Sequence, residues 1–250
     1  MSDALLYDLG QQLEKLLQAE RYAAAFALGR HILRYYPRHL ATYKRMGVAA
    51  LAAGLVDDSI DLLQRALSID PEDSHLWESL RDAATQANMD SVAKMAAAYA
   101  DDMLAGQAST SSIAQGHEAV RERDWGRAYA AYHTGYEQFP WRVDAALGLM
   151  TALFKLDNHA EALLTARHIL MALPYCLKAH WHLVRCGHIL QDTSIDEQRH
   201  LRIIDALDPD GRYLTRWFDD VNIGKLEQPR AKIPAWNESE RWDYRAQSLF

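Results

Sequence analysis

The chain has 250 residues, of which 49% are hydrophobic and 24% charged, so it can bury a core and falls outside the composition of disordered proteins. Its formal net charge of -7 argues against a nucleic-acid partner, because nucleic-acid binders usually present a basic patch. The longest apolar runs are shorter than the ~20 residues that span a bilayer, so we expect no membrane insertion.

The N-terminal stretch MSDALLYDLGQQLEKLL carries acids and has no basic residue before its apolar positions, which is the wrong order for a secretory signal. The two cysteines, Cys176 and Cys186, would lie about 15 Å apart on a helix, beyond the reach of a disulfide. Both observations favour a protein of the reducing cytoplasm.

Prolines reveal a repeat along most of the chain. Successive spacings are 34, 69, 34 and 35 residues, and the 69 is one repeat of 34 plus one of 35 whose proline is replaced near Ala105. Six units therefore tile residues 6–209. The prolines that mark them are Pro37, Pro71, Pro140, Pro174 and Pro209.

Each unit brings the same residue types to the same offsets from its proline. The second unit carries Tyr43, Met46, Gly47, Ala50, Leu63, Ala66 and Pro71, and the fifth carries Leu149, Leu153, Ala162, Ala166, Ile169 and Pro174. This frame resembles the tetratricopeptide repeat family, whose 34-residue unit is a hairpin of two amphipathic helices. The resemblance covers about four-fifths of the chain.

The resemblance implies an all-α fold, a right-handed superhelical solenoid of antiparallel helix hairpins. We expect the six-repeat solenoid over 1–209, a capping helix over 210–221 and an irregular aromatic tail over 222–250. The segment 105–112 lacks the proline turn, which leaves two alternatives. Either the six repeats form one continuous superhelix with a longer surface turn, or they form two arms of three repeats each. Ser112 and Gln115 form a candidate capping box for the next helix. The sixth repeat can be aligned in more than one register.

Catalytic and metal motifs are missing from the sequence. His180, His182 and His188 cluster in the sixth unit, but His180 and His182 point to opposite sides of a helix and do not form a zinc pair. Phosphate-binding glycine loops and nucleophile elbows are absent as well. We therefore predict no enzymatic activity, no metal and no cofactor.

In this family the first helix of each repeat lines a concave groove, and the resemblance implies that a protein or peptide partner binds there. The groove residues carried over from the family are Lys44, Arg45, His75, Glu78, Asp82, Gln86, His117, Arg121, Asp144, Thr151, Phe154 and Lys155.

The tail IPAWNESERWDYRAQSLF lies beyond every repeat. Its rings, Trp236, Trp242, Tyr244 and Phe250, are of the type enriched at interface hot spots, so we expect them to be buried on a partner or on the protein itself. We predict a non-catalytic scaffold or adaptor, as a subunit or assembly factor of a larger complex. The alternatives are a self-regulated module whose tail plugs its own groove, and, more remotely, an enzyme on a solenoid. Homo-oligomerisation is left open.

Overall fold

The computed structural model describes residues 3–105, 111–217, 232–234 and 236. These residues form thirteen helices and two short strands. The helices are α1 Leu6–Gln18, α2 Tyr22–Tyr35, α3 Leu40–Ala52, α4 Val56–Ile69, α5 Ser74–Gln86, α6 Asp90–Leu104, α7 Ser112–Arg121, α8 Trp125–Gln138, α9 Val143–Lys155, α10 His159–Ala172, α11 Leu177–Leu190, α12 Glu197–Leu207 and α13 Arg212–Trp217. The strands are β1 Asp3–Leu5 and β2 Lys232–Pro234.

Helices α1–α12 form six hairpins, which confirms the predicted all-α hairpin architecture and its repeat frame. Each hairpin turn holds one residue in the left-handed region, at a spacing of 34 or 35 residues. This conformation lets the chain reverse within a few residues at the end of a helix. The residues at this position are Glu20, Gly54, Asn88, Arg123, Asp157 and Gln191, with φ between 54° and 73°.

The carbonyl groups of three repeat-ending prolines accept hydrogen bonds from side chains of the repeat that follows. Tyr43 Oη donates to the Pro37 carbonyl at 2.6 Å, and Trp77 Nε1 donates to the Pro71 carbonyl at 2.7 Å. His180 Nε2 bonds the Pro174 carbonyl at 2.9 Å, again six residues downstream of the proline. His180 thus takes the position of Tyr43 and Trp77, which fixes the register of the sixth repeat.

Polar caps start several of the helices. Asp73, Asp124 and Asn158 each accept a hydrogen bond from a backbone N–H in the first turn of the helix that follows. The cap of α7 is Ser111, whose Oγ accepts from the N–H of Ala114, so the predicted capping box at Ser112 is displaced by one residue. Ser112 has already entered the helix.

Small residues allow close helix crossings. A Cβ added at Gly47 would lie 2.9 Å from Cδ2 of Leu63, on the second helix of the same repeat. At Gly29 an added Cβ would lie 2.3 Å from Sδ of Met46, on the next repeat. Gly29 therefore leaves room for a larger neighbour, which explains why the first repeat departs from the family pattern there.

The chain divides into two compact units. Unit one comprises Met1–Ala66 and Ile204–Phe250. Within it, leucines of α1 and apolar residues of α2 form a buried cluster that also contains Ile233 of β2. The C-terminal strand is therefore part of the same core as the first hairpin.

Unit two comprises Leu67–Ile203. Its core contains two clusters, one centred on α7–α10 and the other on α9–α11. Tyr132 of α8 is 1% exposed and lies against Gly116 and Gly148, where any side chain would collide with its ring. The division of the chain into a solenoid over 1–209, a capping helix over 210–221 and an irregular tail over 222–250 remains a prediction.

Candidate binding surfaces

The groove residues predicted on α3 make contacts inside unit one. Lys44 Nζ lies 4.6 Å from the centre of the Tyr213 ring, a cation–π distance. Arg45 Nη2 donates to Glu14 Oε2 at 3.0 Å, and its side chain is 16% exposed. A partner that bound these cations would compete with the contacts they already make.

The groove residues predicted on α5 form an accessible polar face. His75 is 84% exposed and its Nδ1 lies 3.1 Å from Glu78 Oε2, one turn further along the helix. Asp82 accepts from Nε of its neighbour Arg81 at 2.9 Å, and Gln86 is exposed. These contacts all lie within α5, so the face keeps its polar groups available to a partner.

Of three predicted groove residues of α7 and α9, His117 and Asp144 belong to the interior of unit two, whereas Arg121 is exposed. His117 Nδ1 lies 2.8 Å from the Tyr132 hydroxyl, and its Nε2 lies 3.7 Å from Asp144 Oδ2. Asp144 is fully buried. Arg121 donates to the backbone carbonyls of Met103 and Ala105, at the end of α6. The arginine thereby satisfies carbonyls that the helix leaves without an internal partner.

The predicted groove residues at the C-terminal end of α9 are less buried. Thr151 is half-buried and Lys155 is exposed, with Nζ 5.8 Å from the Trp125 ring centre. Phe154 packs against the His182 ring with centroids 4.9 Å apart. The aromatic and histidine rings here fill the space between α9, α10 and α11.

Arg142, which belongs to no motif in the sequence, organises the charged interior of unit two. Its Nε and Nη2 donate to the two oxygens of Asp144 at 2.8 and 2.5 Å, and Nη1 donates to Asp102 at 2.8 Å. The guanidinium carbon lies 4.1 Å above the Tyr99 ring, which stacks on Trp77. Such a planar fork matches a carboxylate in a way that lysine cannot.

The charge state of Asp144 follows from these contacts. Burial alone would raise the pKa of its carboxyl, but the hydrogen bonds from Arg142 and the nearby His117 hold the pKa below its usual value. The buried carboxylate is therefore charged near neutral pH, and its charge is compensated within the protein.

A second ion pair joins distant parts of unit two. Lys178, at the start of α11, donates its Nζ to Glu72 in the turn after α4, 106 residues away. Both side chains are about one-fifth exposed or less. Burial would lower the pKa of Lys178, but Glu72 and Asp70 raise it above its usual value. This ion pair joins the first helix of the sixth repeat to the turn that precedes the third repeat.

The histidines of the sixth repeat pair with one another and with the backbone. His180 Nδ1 lies 2.7 Å from His200 Nδ1, and Nε2–H faces the Pro174 carbonyl. His180 therefore accepts from His200, and burial lowers its pKa to about 4. Within the described ranges, three or more His, Cys, Asp or Glu side chains nowhere gather in a geometry suited to a metal ion.

Strand β2 and Trp236 lie on the first hairpin of unit one. Strands β1 and β2 pair antiparallel, with Ala4 opposite Ile233. Ile233 is 2% exposed within the α1–α2 cluster, and the half-buried Trp236 packs against that cluster. His31 Nε2, itself on a 2% exposed residue, bonds the Pro234 carbonyl at 2.8 Å. The other predicted tail rings, Trp242, Tyr244 and Phe250, lie outside the described residues.

A buried acidic turn lies between α12 and α13 of unit one. Asp208 Oδ2 accepts from the backbone N–H groups of Tyr213 and Leu214, and so caps α13. Burial raises the pKa of Asp208 to about 7. His39 Nε2 lies 3.8 Å from Asp210 Oδ1, and His39 Nδ1 bonds Thr42 of α3 at 2.9 Å. The turn is thus held against α3.

None of the helices in the described ranges combines the length and the apolar character that crossing a bilayer requires.

Comparison with known proteins finds a family match over part of the chain. The tetratricopeptide repeat model matches residues 16–83. No curated protein is significantly similar to the chain. Among solved structures, a MamA mutant is 17% identical with a TM-score of 0.34, covering 81% of this chain and 96% of that one. Another, titled MamA MSR-1 C2, is 14% identical with a TM-score of 0.30, covering 84% and 95%. Residues 16–83 are therefore similar to tetratricopeptide repeats, and the helices α1–α12 form six hairpins.

Proposed function

We propose that the protein is a non-catalytic scaffold that binds a peptide or protein segment, and that the polar face of α5 is its main contact surface. The observation that carries this proposal is one accessible polar face of α5, whose hydrogen bonds lie within α5 itself. His75, Asp82 and Gln86 on this face are exposed, and Glu78 is half-buried. The other predicted groove cations and acids are engaged in contacts within their own unit.

The charge of the α5 face indicates the chemistry of the partner. Glu78 and Asp82 make the face acidic, and Arg81 offsets only part of this charge. A segment with lysine or arginine at helical or extended spacing would complement it, and electrostatic complementarity favours association rate and specificity. An acidic segment, such as a C-terminal carboxylate, would be repelled.

The scaffold function is supported by the family, whose members bind proteins, and by the pairing of the buried charges. Arg142 with Asp144 and Lys178 with Glu72 are compensated ion pairs in the interior. Buried pairs of this kind position helices, and they need no substrate to explain them.

Charge reversal on α5 tests the proposal. The double variant Glu78→Lys/Asp82→Lys should lower the affinity for the captured and purified partner at least tenfold, because two attractive contacts become repulsive. The matched control Glu122→Lys/Glu137→Lys changes the net charge equally at exposed acids of unit two and should keep wild-type affinity. If the two double variants bind the partner with equal affinity, the proposal that the partner binds the α5 face is refuted.

A second candidate is a self-regulated module whose tail competes with partners, and the docking of β2 and Trp236 on the first hairpin favours it. Deletion of residues 233–250 separates the two. If partner capture stays or rises after deletion, the tail is an internal plug. If capture is lost, the tail is itself a docking element.

A further inference from the structure

The site that holds residues 232–234 and Trp236 has the features of a peptide-binding site. The ligand is an extended strand, and it adds to the edge of β1 by main-chain pairing over three residues. Strand addition of this kind supplies affinity through backbone groups, while pockets for alternate side chains supply selectivity. This surface is separate from the α5 face proposed above.

Three contacts define what the site selects. The first is an apolar pocket in the α1–α2 cluster, which takes Ile233 and leaves 2% of it exposed. The second is the buried His31, whose Nε2–H donates to the carbonyl of Pro234. The third is the surface of the same buried cluster, against which the half-buried Trp236 packs.

Proline suits its place in this ligand. It has no N–H to donate to a ladder, so it is tolerated at the end of an edge strand. Pro234 ends β2 and is exposed, while its carbonyl still reaches His31. Because His31 is buried and bonds the ligand directly, the site has a fixed polar anchor in addition to its apolar pocket.

We propose that β1 and the apolar cluster of α1 and α2 form a peptide-binding site for extended segments that carry an apolar residue, then proline, and an aromatic residue two positions after the proline. Ile233, Pro234 and Trp236 supply these groups in the intramolecular ligand. Tethering raises the effective concentration of such a ligand to the millimolar range. A free peptide of the same pattern therefore binds well only after the tethered segment has been removed from the site.

The test uses the full-length chain and a fluorescein-labelled peptide of residues 229–239, with binding followed by anisotropy. The variant Ile233→Asp should release its own segment, because a carboxylate does not enter the apolar pocket. It should then bind the peptide at least tenfold more tightly than the wild type does. The matched control Met171→Asp places the same charge at an apolar side chain of unit two that is 82% exposed, and it should behave as wild type.

Further arms make the result specific. A peptide with the same Ile→Asp change should not bind any of the chains. The milder variant Trp236→Ala should give peptide affinity between those of wild type and Ile233→Asp, which keeps the test meaningful if Ile233→Asp unfolds. Equal binding by wild type and both tail variants, or none by either folded variant, would overturn the proposal. A wild-type dimer that Ile233→Asp converts to monomer would also overturn it, because the segment would then bind a second copy.

Discussion

Replacement of Arg142 by methionine should strongly destabilise unit two. The change removes three hydrogen bonds and leaves the fully buried Asp144 without its main compensating charge. Breaking a buried pair by removing one partner costs about 3–5 kcal/mol, most of it the desolvation of the remaining charge. Asp102 is 20% exposed and keeps part of its hydration, so the loss of its hydrogen bond adds little to the free-energy cost.

The pH dependence identifies the cause of this loss. In the wild type the pKa of Asp144 is below its usual value, so its contribution to stability is present above about pH 4 and is lost as the pH falls further. Without Arg142 its pKa rises above that value, because burial is no longer offset. The stability deficit of Arg142→Met should therefore shrink as the pH is lowered from 7 towards 4.

Urea unfolding followed by far-ultraviolet circular dichroism measures both effects. The double variant Arg142→Met/Asp144→Leu should be more stable than Arg142→Met alone, because it removes the uncompensated carboxylate. A single variant within about 1 kcal/mol of wild type at pH 7, well under the cost of breaking a buried pair, would refute the reasoning. So would a deficit that does not depend on pH.

Two further predictions concern one residue in each unit. Gly148→Ala should destabilise unit two by about 1–3 kcal/mol in urea unfolding, since the added Cβ would lie 2.3 Å from Cζ of the buried Tyr132. The matched change Gly126→Ala, where the nearest atom is 3.7 Å away, should cost no stability. Asp208→Asn should make unit one more stable than wild type at pH 8 by up to about 4 kcal/mol, the cost of ionising a carboxyl whose folded pKa is about 7. Because the folded pKa of Asp208 is about 7, the folded wild type binds a proton that the unfolded chain has already released above about pH 4. The stability that this proton contributes is lost as the pH rises from about 4 through 7. Asparagine can still cap α13, and identical pH profiles for the two proteins would contradict the assignment.

The repeat frame could be predicted from the sequence because it is periodic. Prolines and small residues recur every 34 or 35 residues, and the left-handed turn residues follow the same spacing. The register of the sixth repeat could not be chosen, because histidine at position 180 differs from the tyrosine and tryptophan at the same position elsewhere. Its hydrogen bond to the Pro174 carbonyl shows that the chemistry is the same.

The contacts that close each unit could not be predicted, because they join residues far apart in the chain without any period. Lys178 and Glu72 are 106 residues apart, and His31 and Pro234 are 203 apart. A strand of three residues, such as β2, also falls below the length at which an alternating pattern is recognisable. The groove set carried over from the family remains a prediction, and the structure adds the internal partners of several of its members.

Hydrogen exchange of the full-length protein tests most directly whether the C-terminal segment is bound to the first hairpin. The amide of Ala4 in β1 should be protected in the wild type, because Ala4 lies opposite Ile233 and adjacent N–H groups of an antiparallel strand point to opposite sides. It should exchange at least tenfold faster in Ile233→Asp, while the amides of α9 remain unchanged in both proteins. Equally fast exchange of β1 in wild type and variant would show that the segment is not bound, and would contradict this account.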